Sequence, residues 1–442
     1  MLKTFRLGGI HPPGNKLSVG KKIERLPIPE QVIIPLSQHI GTPAVPVVRE
    51  GDVVKAGTLI AEANGLVSAN IHSSVSGTVV KIDDAPDAGG YRKPAIFIRV
   101  EGNEFEDTID LSPELKKDID LSASVIRQKI ADAGVVGMGG AMFPTHIKLT
   151  PPPGKTIDTL IINGAECEPY LTSDHALMLE KGSEIMIGIQ LMMRALGVKR
   201  AIVGIENNKK DAVEYLSSLR PDYPGIEISA LKVKYPQGSE RQLIDALTKR
   251  KVKSGKLPSD TGVVVQNVGT AFAVYEAVQK NKPLFERIIT VTGKGIKNPN
   301  DYRVKIGTPV NELIAAAGGL PEDAGKIIDG GPMMGKALIN ADVPVTKGTS
   351  GLLILPKEDT ERKEGSNCIR CSKCAFGCPS GLAPYLLMTL AEFAEWGKAE
   401  SEKIADCLEC GCCSYVCPAN RPLLDYIRLG KRKVSEIINV GK

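Results

Sequence analysis

The sequence predicts a multidomain protein that combines α/β and α+β folds, and three observations support this prediction. The chain has 442 residues, enough for about three domains at roughly 150 residues each. Hydrophobic residues make up 42% and charged residues 24%, a composition typical of globular proteins rather than of disordered chains. Nine of the ten cysteines lie in the last 75 residues, which sets apart a C-terminal cysteine module.

Charge and hydropathy exclude several function classes. The 56 lysines and arginines exceed the 51 acidic residues by five, too small an excess to indicate a nucleic-acid partner. No stretch approaches 18 uninterrupted apolar residues, so we expect no membrane-spanning helix. Residues 1–22 lack the apolar core of a secretory signal, which predicts that the protein stays in the cytoplasm.

Residues 1–28 form an irregular N-terminal extension in this interpretation, because glycines and prolines crowd its middle. In residues 29–105, short apolar runs broken by turns predict strands. Two of its turns, at 50–57 and 76–79, resemble the barrel sandwich of lipoyl and biotinyl carriers. A carrier would have its modified lysine shortly after Glu62, where Ala63, Asn64 and Gly65 stand instead. We therefore predict an unmodified sandwich, with a true carrier as the alternative.

Residues 106–285 alternate strand-like and helix-like segments, which predicts a parallel α/β sheet. The predicted strands are 159–162, 201–204, 226–233 and 263–265, and the predicted helices are 176–196, 211–219 and 242–249.

The next region, 286–356, changes character. A single short helix at 310–317 stands among strands that enter glycine-rich turns, which predicts a small β-grasp-like α+β module. Residues 357–425 hold a charged linker and then the cysteine module, and residues 426–442 form a basic tail. The tail could touch anionic lipid or a partner, or it could be a solvated helix end.

The cysteine module repeats one motif. C-x2-C-x2-C-x3-C followed by proline occurs twice, 39 residues apart and in register at all four positions. In two-cluster ferredoxins, the first three thiolates of each motif bind one [4Fe–4S] cluster and the fourth binds the other. We expect cluster 1 on Cys368, Cys371, Cys374 and Cys417, and cluster 2 on Cys407, Cys410, Cys413 and Cys378. Structural zinc is the alternative, but it uses two separated cysteine pairs. Cys412 has no place in the pattern and is interpreted as a buried thiol.

A glycine-rich stretch at 134–145 could bring backbone N–H groups close to a phosphate or a flat ring, although most such loops are only turns. Three further segments follow it in order: Asn163 to Pro169, Gly238-Ser239-Glu240, and Gln266-Asn267-Val268 with Thr270. Together the four segments resemble the FMN and NADH site of the NADH-binding subunit of respiratory complex I.

The chain resembles the RnfC family more closely still; RnfC belongs to the Rnf complex, a membrane-bound ferredoxin:NAD oxidoreductase. The opening at 8–16, Gly-Gly-Ile-His-Pro-Pro-Gly-Asn-Lys, and the variant Ala165-Glu166-Cys167-Glu168-Pro169 are typical of that family. Its domain order is also the one predicted here: carrier-like β sandwich, parallel α/β FMN/NADH domain, β-grasp soluble-ligand-binding module and two-cluster ferredoxin-like helical module. The resemblance covers the chain up to about residue 430.

The resemblance implies a set of cofactor contacts. FMN would be surrounded by Gly137, Gly139, Gly140, Lys148, Asn163, Glu166, Gly238, Ser239, Glu240, Gln266 and Asn267. Lys148 would meet the phosphate as a point charge, and Asn163 and Asn267 would bond the phosphate or the polar edge of the flavin. NADH would meet Ala141, Phe143 and Glu168, with Phe143 stacking on a ring and Glu168 on the ribose hydroxyls.

Several positions depart from complex I. Ala165 replaces an acidic residue, Met138 replaces an arginine, and Leu149 replaces an aromatic residue, so the nicotinamide contacts are the less defined part of the site. Phe143 could instead be a core aromatic. Cys167 replaces a glycine beside the flavin, where it either fills space or tunes the flavin.

A hydride donor, a flavin and two clusters in one chain predict a two-electron to one-electron transformer. The Rnf resemblance implies electron exchange between NAD(H), FMN, two [4Fe–4S] clusters and partner subunits, one membrane-embedded and one cluster-bearing, with ferredoxin reached indirectly. It also implies peripheral attachment at the cytoplasmic face of the membrane and ion translocation by the partners. The alternatives are a soluble cobalamin reductase of similar domain order and a non-catalytic cluster-binding electron wire.

Overall fold

The computed structural model describes residues 2–440. The N-terminal segment, residues 2–28, forms one two-residue strand, β1 (Glu24–Arg25), and otherwise runs as a strap across the other regions. Ile10 pairs with Tyr235, Gly9 donates to the Gly377 carbonyl, and β1 lies in parallel beside the strand at 300–305. The segment predicted to be irregular therefore holds three regions together.

Residues 31–100 form two facing antiparallel sheets around one apolar core. The first sheet has the order β2-β8-β7-β4 and the second the order β3-β5-β6. The strands are β2 (Gln31–Pro35), β3 (Val45–Pro46), β4 (Val53–Val54), β5 (Leu59–Glu62), β6 (Ile71–His72), β7 (Gly77–Pro86) and β8 (Arg92–Val100).

The middle of the chain is an α/β domain with a four-stranded parallel sheet in the order β11-β10-β9-β12. Its elements are α1 (Ala123–Asp132), α2 (Thr145–Lys148), β9 (Thr159–Gly164), α3 (Ser173–Glu180), α4 (Gly182–Leu196), β10 (Ala201–Glu206), α5 (Lys210–Leu219), β11 (Ile226–Leu231), α6 (Glu240–Thr248), β12 (Val263–Asn267) and α7 (Val268–Gln279). The expectation of a parallel sheet is thus correct.

One predicted helix of this domain is wrong in its extent. The apolar spacing over 176–196 indicates a single helix, but the structure has two, α3 and α4, separated at Lys181. A Cβ on Gly182 would lie 2.6 Å from the Tyr215 ring, so α5 packs directly on the junction and the chain turns there.

Residues 286–356 form a mixed sheet in the order β14-β13-β17-β15-β16, extended by β1, with one helix against it. The elements are β13 (Glu286–Thr292), β14 (Asn300–Lys305), α8 (Val310–Ala316), β15 (Ala324–Asp329), β16 (Lys336–Ala337) and β17 (Gly351–Pro356). The first and last strands, β13 and β17, are parallel neighbours.

The C-terminal module is helical. Its elements are α9 (Lys357–Thr360), α10 (Lys373–Phe376), α11 (Pro384–Glu392), α12 (Trp396–Ser401), α13 (Cys412–Tyr415) and α14 (Leu423–Val440). The predicted boundary at residue 425 falls inside α14, so the basic tail is the body of a helix that packs on α11 and α12. None of the helices within residues 2–440 combines the length and apolar character that crossing a bilayer requires.

Buried charges join the domains. Lys347, from the loop before β17, donates 2.7 Å hydrogen bonds to the carbonyls of Asn70 in the sandwich and Gly134 in the α/β domain. Burial lowers the pKa of Lys347 to about 7. Breaking a buried pair or leaving such a group unpartnered costs several kcal/mol, so this lysine fixes the arrangement of three domains.

Candidate functional site

The glycine-rich stretch forms a tight loop at the carboxyl end of the parallel sheet. Its ends are tied by the pair Val136–Pro144 and by a 2.9 Å bond from the Gly137 N–H to the Phe143 carbonyl. Gly140 has a φ of +111°, and a Cβ built on it would meet nothing within 4 Å. The loop therefore presents bare, exposed backbone to the space above the sheet.

The ends of β9 and α6 meet beneath this loop. The Asn163 amide donates to the Gly238 carbonyl at 2.8 Å, and its oxygen accepts the Ala165 N–H at 3.1 Å. Ser239 is the residue immediately before α6. Crevices outside the carboxyl ends of parallel strands are where open α/β sheets bind ligands, so two of the predicted segments converge at such a crevice.

Asn267 connects a third segment to the loop. A Cβ on Gly139 would lie 3.3 Å from its side chain. Its oxygen caps α7 by accepting the Gly269 N–H at 2.8 Å, and its amide donates to Asp174 at 2.7 Å. Glu166 in turn accepts the Asp174 N–H at 2.7 Å. Burial, and then the charge of Glu166, raise the pKa of Asp174 to about 7.

Lys148 supplies a cation at the crevice. Its ammonium donates to Glu240 at 2.7 Å and to the Val265 carbonyl at 2.9 Å, and about a third of its side chain is exposed. Lys148 is thus held between two of the predicted segments while remaining open to an anion.

Two observations indicate that the crevice fits a flavin nucleotide. The Gln266 amide nitrogen is buried and has no hydrogen-bond partner among the described residues, so a ligand oxygen would satisfy it. The glycine loop leaves open the space that a flat ring would need, and Lys148 lies ready for a phosphate. The predicted FMN residues therefore converge, although their contacts to FMN remain a prediction.

Two lysines, the partly buried Lys16 and the buried Lys209, support the site, and the sequence analysis missed both roles. The Lys16 ammonium, from the N-terminal strap, donates to the carbonyls of Glu166 at 3.0 Å, Glu168 at 2.9 Å and Leu171 at 2.5 Å. Lys209 donates to the Ala165 carbonyl at 2.7 Å. Burial lowers the pKa of Lys16. Asp174 was also missed; nothing in its local motif distinguishes it.

The predicted NADH residues lie in different settings. Ala141 is exposed and Phe143 is partly exposed, so Phe143 is not a core aromatic. Glu168 lies deeper: its carboxylate accepts the Met333 N–H at 3.1 Å and lies 3.4 Å from the Tyr235 hydroxyl. Burial raises the pKa of Glu168 to about 7. Its role toward a ribose stays a prediction.

The second cysteine motif, in which Cys410 and Cys413 are buried and Cys407 and Cys417 partly buried, borders a cavity. The lining includes Cys378 together with Cys407, Cys410 and Cys413. Burial, followed by its neighbouring cysteines, raises the pKa of Cys413 to about 12; for Cys378, burial and the nearby Cys410 raise the pKa. Thiolates at such positions need positive charge nearby, which cluster iron would supply. The four cysteines thus suit one cubane.

The first motif lies at the surface. Cys368 and Cys371 are exposed, whereas Cys374 is partly buried. Burial raises the pKa of Cys374. Cys374 and Cys417 pack against the same apolar cluster, so the last cysteine of the second motif lies near the first motif. Within residues 2–440, no three His, Cys, Asp or Glu side chains lie close enough to hold a single metal ion. The assignment to cubanes therefore depends on spacing, repetition and this crossing.

The basic tail forms part of the wall of the second motif. The Lys431 ammonium donates to the Cys407 carbonyl at 2.7 Å and to Glu409 at 2.9 Å, and Arg428 also bonds Glu409 at 3.2 Å. Two of the five basic residues in the tail, Arg428 and Lys431, are thereby used within the module.

Comparison with known proteins identifies four regions of the chain. Residues 3–103 match the RnfC barrel sandwich hybrid domain, and residues 130–276 match the Nuo51 FMN-binding domain. Residues 288–337 match the SLBB domain, and residues 360–418 match a 4Fe-4S dicluster domain. These matches agree with the predicted multidomain organisation and with the predicted FMN and two [4Fe–4S] clusters.

Relatives that align over nearly the whole chain show which family it belongs to. The chain is 46% identical to the RnfC-type subunit of the Na(+)-translocating ferredoxin:NAD(+) oxidoreductase complex of Acetobacterium woodii, covering 98% of this chain and 97% of the relative. It is 48% identical to the proton-translocating counterpart of Clostridium ljungdahlii, covering 97% and 93%. The chain belongs to the RnfC family. The resemblance drawn from the sequence is confirmed.

A more distant likeness is limited to the fold. An NAD+-reducing [NiFe]-hydrogenase structure in the H2-reduced state matches this RnfC-family chain with a TM-score of 0.51 at 20% identity. The match covers 71% of this chain and 63% of the other.

Proposed function

We propose that this chain exchanges a hydride between NAD(H) and FMN and passes single electrons through two [4Fe–4S] clusters to or from partner subunits. A bound flavin supplies the conversion between two-electron and one-electron chemistry. The observation that carries the proposal is one contact: the Tyr235 hydroxyl, from the loop that leads to Gly238, donates to the Cys410 carbonyl at 2.9 Å. The flavin crevice and the buried cysteine motif thus share a wall.

Different residues of the chain would bind the phosphate and the ring of FMN. Lys148 would bind the phosphate, and the bare backbone of Gly137, Gly139 and Gly140 would let the nucleotide approach closely. Polar side chains and N–H groups at the strand ends would orient the ring; these are Asn163, Glu166, Gly238, Ser239, Glu240, Gln266 and Asn267. Three hydrogen bonds hold members of this set in place beforehand: Asn163 to the Gly238 carbonyl, Asn267 to Asp174, and Lys148 to Glu240.

Ala141 and Phe143 would contact the nicotinamide nucleotide from the exposed side of the loop. Glu168 would bind a ribose by exchanging the Met333 N–H for a ribose hydroxyl as the donor to its carboxylate. No residue of the crevice needs to act as a general acid or base, because a hydride moves without a separate proton transfer by the protein.

The cluster ligands cross between the motifs in this proposal. Cys407, Cys410, Cys413 and Cys378 hold the inner cluster, which faces the flavin crevice, and Cys368, Cys371, Cys374 and Cys417 hold the outer cluster. Support comes from the neighbouring positions of Cys378 with Cys410 and of Cys374 with Cys417. Electrons would therefore pass between the crevice and the outside by way of the inner cluster first.

The first cysteine motif, here called the outer motif, supports electron transfer to a partner at the surface; the second is called the inner motif. Residues 361–373 are exposed, and around Cys371 they present Ile369, Arg370 and Lys373. An apolar and basic rim around a surface cluster suits a cluster-bearing partner subunit with an acidic face. Relatives named as subunits of ion-translocating complexes support attachment, through a membrane-embedded subunit, to the cytoplasmic face of the membrane. Ion translocation belongs to that assembly, and the two relatives are named for different ions.

Finer fold assignments form part of the same proposal. The order β14-β13-β17-β15-β16, with β13 parallel to β17, supports a β-grasp module. The hairpin after Glu62 carries Ala63, Asn64 and Gly65, which supports a carrier-type sandwich used without modification.

Anaerobic purification tests the proposal. We expect about eight irons and one FMN per chain, and prompt bleaching of the visible spectrum on addition of NADH. Eight irons without flavin, and no response to NADH after FMN is added back, would contradict it. The chain would then be a cluster wire on a flavin-type fold.

A further inference from the structure

Tyr235 occupies the meeting point of three parts of the molecule. It follows β11, and only 2% of its surface is exposed. Its backbone N–H and carbonyl pair with Ile10 of the strap, both at 2.9 Å. Cys410 of the inner motif and its neighbour Cys412 belong to the same apolar cluster, and Cys167 packs against it. Tyr235 is therefore fixed between the strap and the inner cysteine loop.

The hydroxyl of Tyr235 has two polar neighbours. It donates to the Cys410 carbonyl at 2.9 Å, and one Glu168 oxygen lies 3.4 Å away. The other Glu168 oxygen accepts the Met333 N–H, and a Cβ on Gly411 would lie 3.2 Å from the Met333 carbonyl. A closed ring of contacts thus joins the flavin-crevice segment, the α+β module and the inner cysteine loop.

We propose that Tyr235 is a positioning residue whose hydroxyl fixes the Cys410 loop against the Glu166–Glu168 segment and so sets both the placement and the potential of the inner cluster. This inference rests on the proposed function, in which Cys410 is an inner-cluster ligand. The bridge is the only direct side-chain hydrogen bond to an inner-motif cysteine carbonyl from the α/β domain within residues 2–440.

Two physical effects follow from the bridge. A donor aimed at the carbonyl of a ligand residue places positive charge beside the cluster and favours its reduced state. Burial of the ring keeps the loop from drifting, because a Cys410 carbonyl that lost this partner would remain in a poorly solvated setting. A packing role alone would require the ring and not the hydroxyl.

The test compares Tyr235→Phe with wild type in the full, anaerobically purified chain. Phe keeps the ring and removes only the hydroxyl. We expect amide hydrogen exchange across 408–413 to accelerate about threefold to tenfold, the range that one lost hydrogen bond gives. In an EPR-monitored redox titration, the potential of the inner cluster should fall and that of the outer cluster should stay unchanged.

Tyr275→Phe is the matched control. Tyr275 is 3% exposed in the same domain, and its hydroxyl also has a backbone partner, the Lys116 N–H at 3.2 Å. Neither the exchange of 408–413 nor either potential should change in this variant.

An unchanged exchange rate and an unchanged inner-cluster potential in Tyr235→Phe would overturn the proposal, because the ring alone would then suffice. The exchange measurement needs no flavin. A wild-type chain that bound no flavin would therefore contradict the proposed function while still deciding whether the bridge orders the loop.

Discussion

The two cysteine motifs have the same spacing but lie in different surroundings. In the outer motif, Cys368 and Cys371 are exposed, whereas in the inner motif Cys410 and Cys413 are each 8% exposed. The difference comes from what packs on each motif and not from the motif itself. Ligand spacing therefore predicts which cluster forms, and the neighbouring domains determine whether its cysteines are enclosed beside the crevice or exposed at the surface.

The proposed inner-cluster site, which combines Cys378 with the second motif, is enclosed because α6 and the strap pack around it. Gln242 donates to the Pro379 carbonyl at 3.1 Å, Arg241 pairs with Asp406 at 3.1 Å, and Gly9 bonds the Gly377 carbonyl at 3.0 Å. The first residues of α6 belong to the predicted flavin segment, so one helix contributes to both sites. This shared helix holds the crevice and the proposed inner-cluster site next to each other.

The largest expected effect comes from removing one cluster at a time. With Cys413→Ala, NADH should still bleach the flavin, but the outer cluster should stay oxidised because its only supply is cut. With Cys371→Ala, the inner cluster should still be reduced. EPR of NADH-treated samples distinguishes the two. Reduction of the outer cluster in Cys413→Ala at the wild-type rate would show that the inner cluster is not on the path.

A second pair of variants tests the crossing of ligands. Cys378→Ala should remove the inner cluster although Cys378 belongs to the outer motif, and Cys417→Ala should remove the outer one. Each variant should retain about four irons of roughly eight. The remaining EPR signal identifies the surviving cluster. The opposite assignment of losses would show that each motif binds its own cluster with four ligands in sequence.

Reduction of the inner cluster by NADH should depend on bound FMN. Lys148→Gln should weaken FMN binding about tenfold or more, because a charge-assisted contact to the phosphate is lost. Lys155→Gln is the control, since Lys155 lies on the next loop and pairs with Asp260 at the surface. Equal flavin affinity in the two variants, measured by fluorescence titration, would place the phosphate elsewhere.

The smallest expected effect tests how the strap shields the inner-cluster site at Cys378. Gly8 has a φ of +63°, and a Cβ on it would lie 2.3 Å from the Cys378 carbonyl. Gly8→Ala should lift the strap and let a chelator remove inner-cluster iron several times faster.

Gly20→Ala carries the same backbone strain, about 1 kcal/mol, because its φ is +82° and a Cβ there would meet nothing within 4 Å. If the two variants released iron equally fast, backbone strain would explain the faster release, and displacement of the strap from Cys378 would not.

Local patterns in the sequence predicted much of this arrangement. Repeated cysteine spacing predicted the two cluster-binding motifs. The alternation of strand-like and helix-like segments predicted the parallel sheet. The four flavin segments were recognised because each retains several residues in order. What the sequence could not provide were contacts between distant parts of the chain. Lys16 stood in the recognised opening motif, but its bonds to three carbonyls 150 to 155 residues away have no local signal.

The same limit explains the remaining errors. The split at Lys181 depends on α5 packing against Gly182, and the function of the tail depends on Glu409 lying opposite Lys431. Tyr235 escaped notice for this reason too, since its partner Cys410 lies 175 residues further along the chain.

Rapid freezing after anaerobic mixing with NADH, followed by EPR, tests the central claim most directly. The two cluster signals are identified beforehand from Cys371→Ala and Cys413→Ala. The wild-type chain should show the inner cluster reduced before the outer one. An outer cluster that is reduced first would contradict the path from flavin crevice to inner cluster to surface.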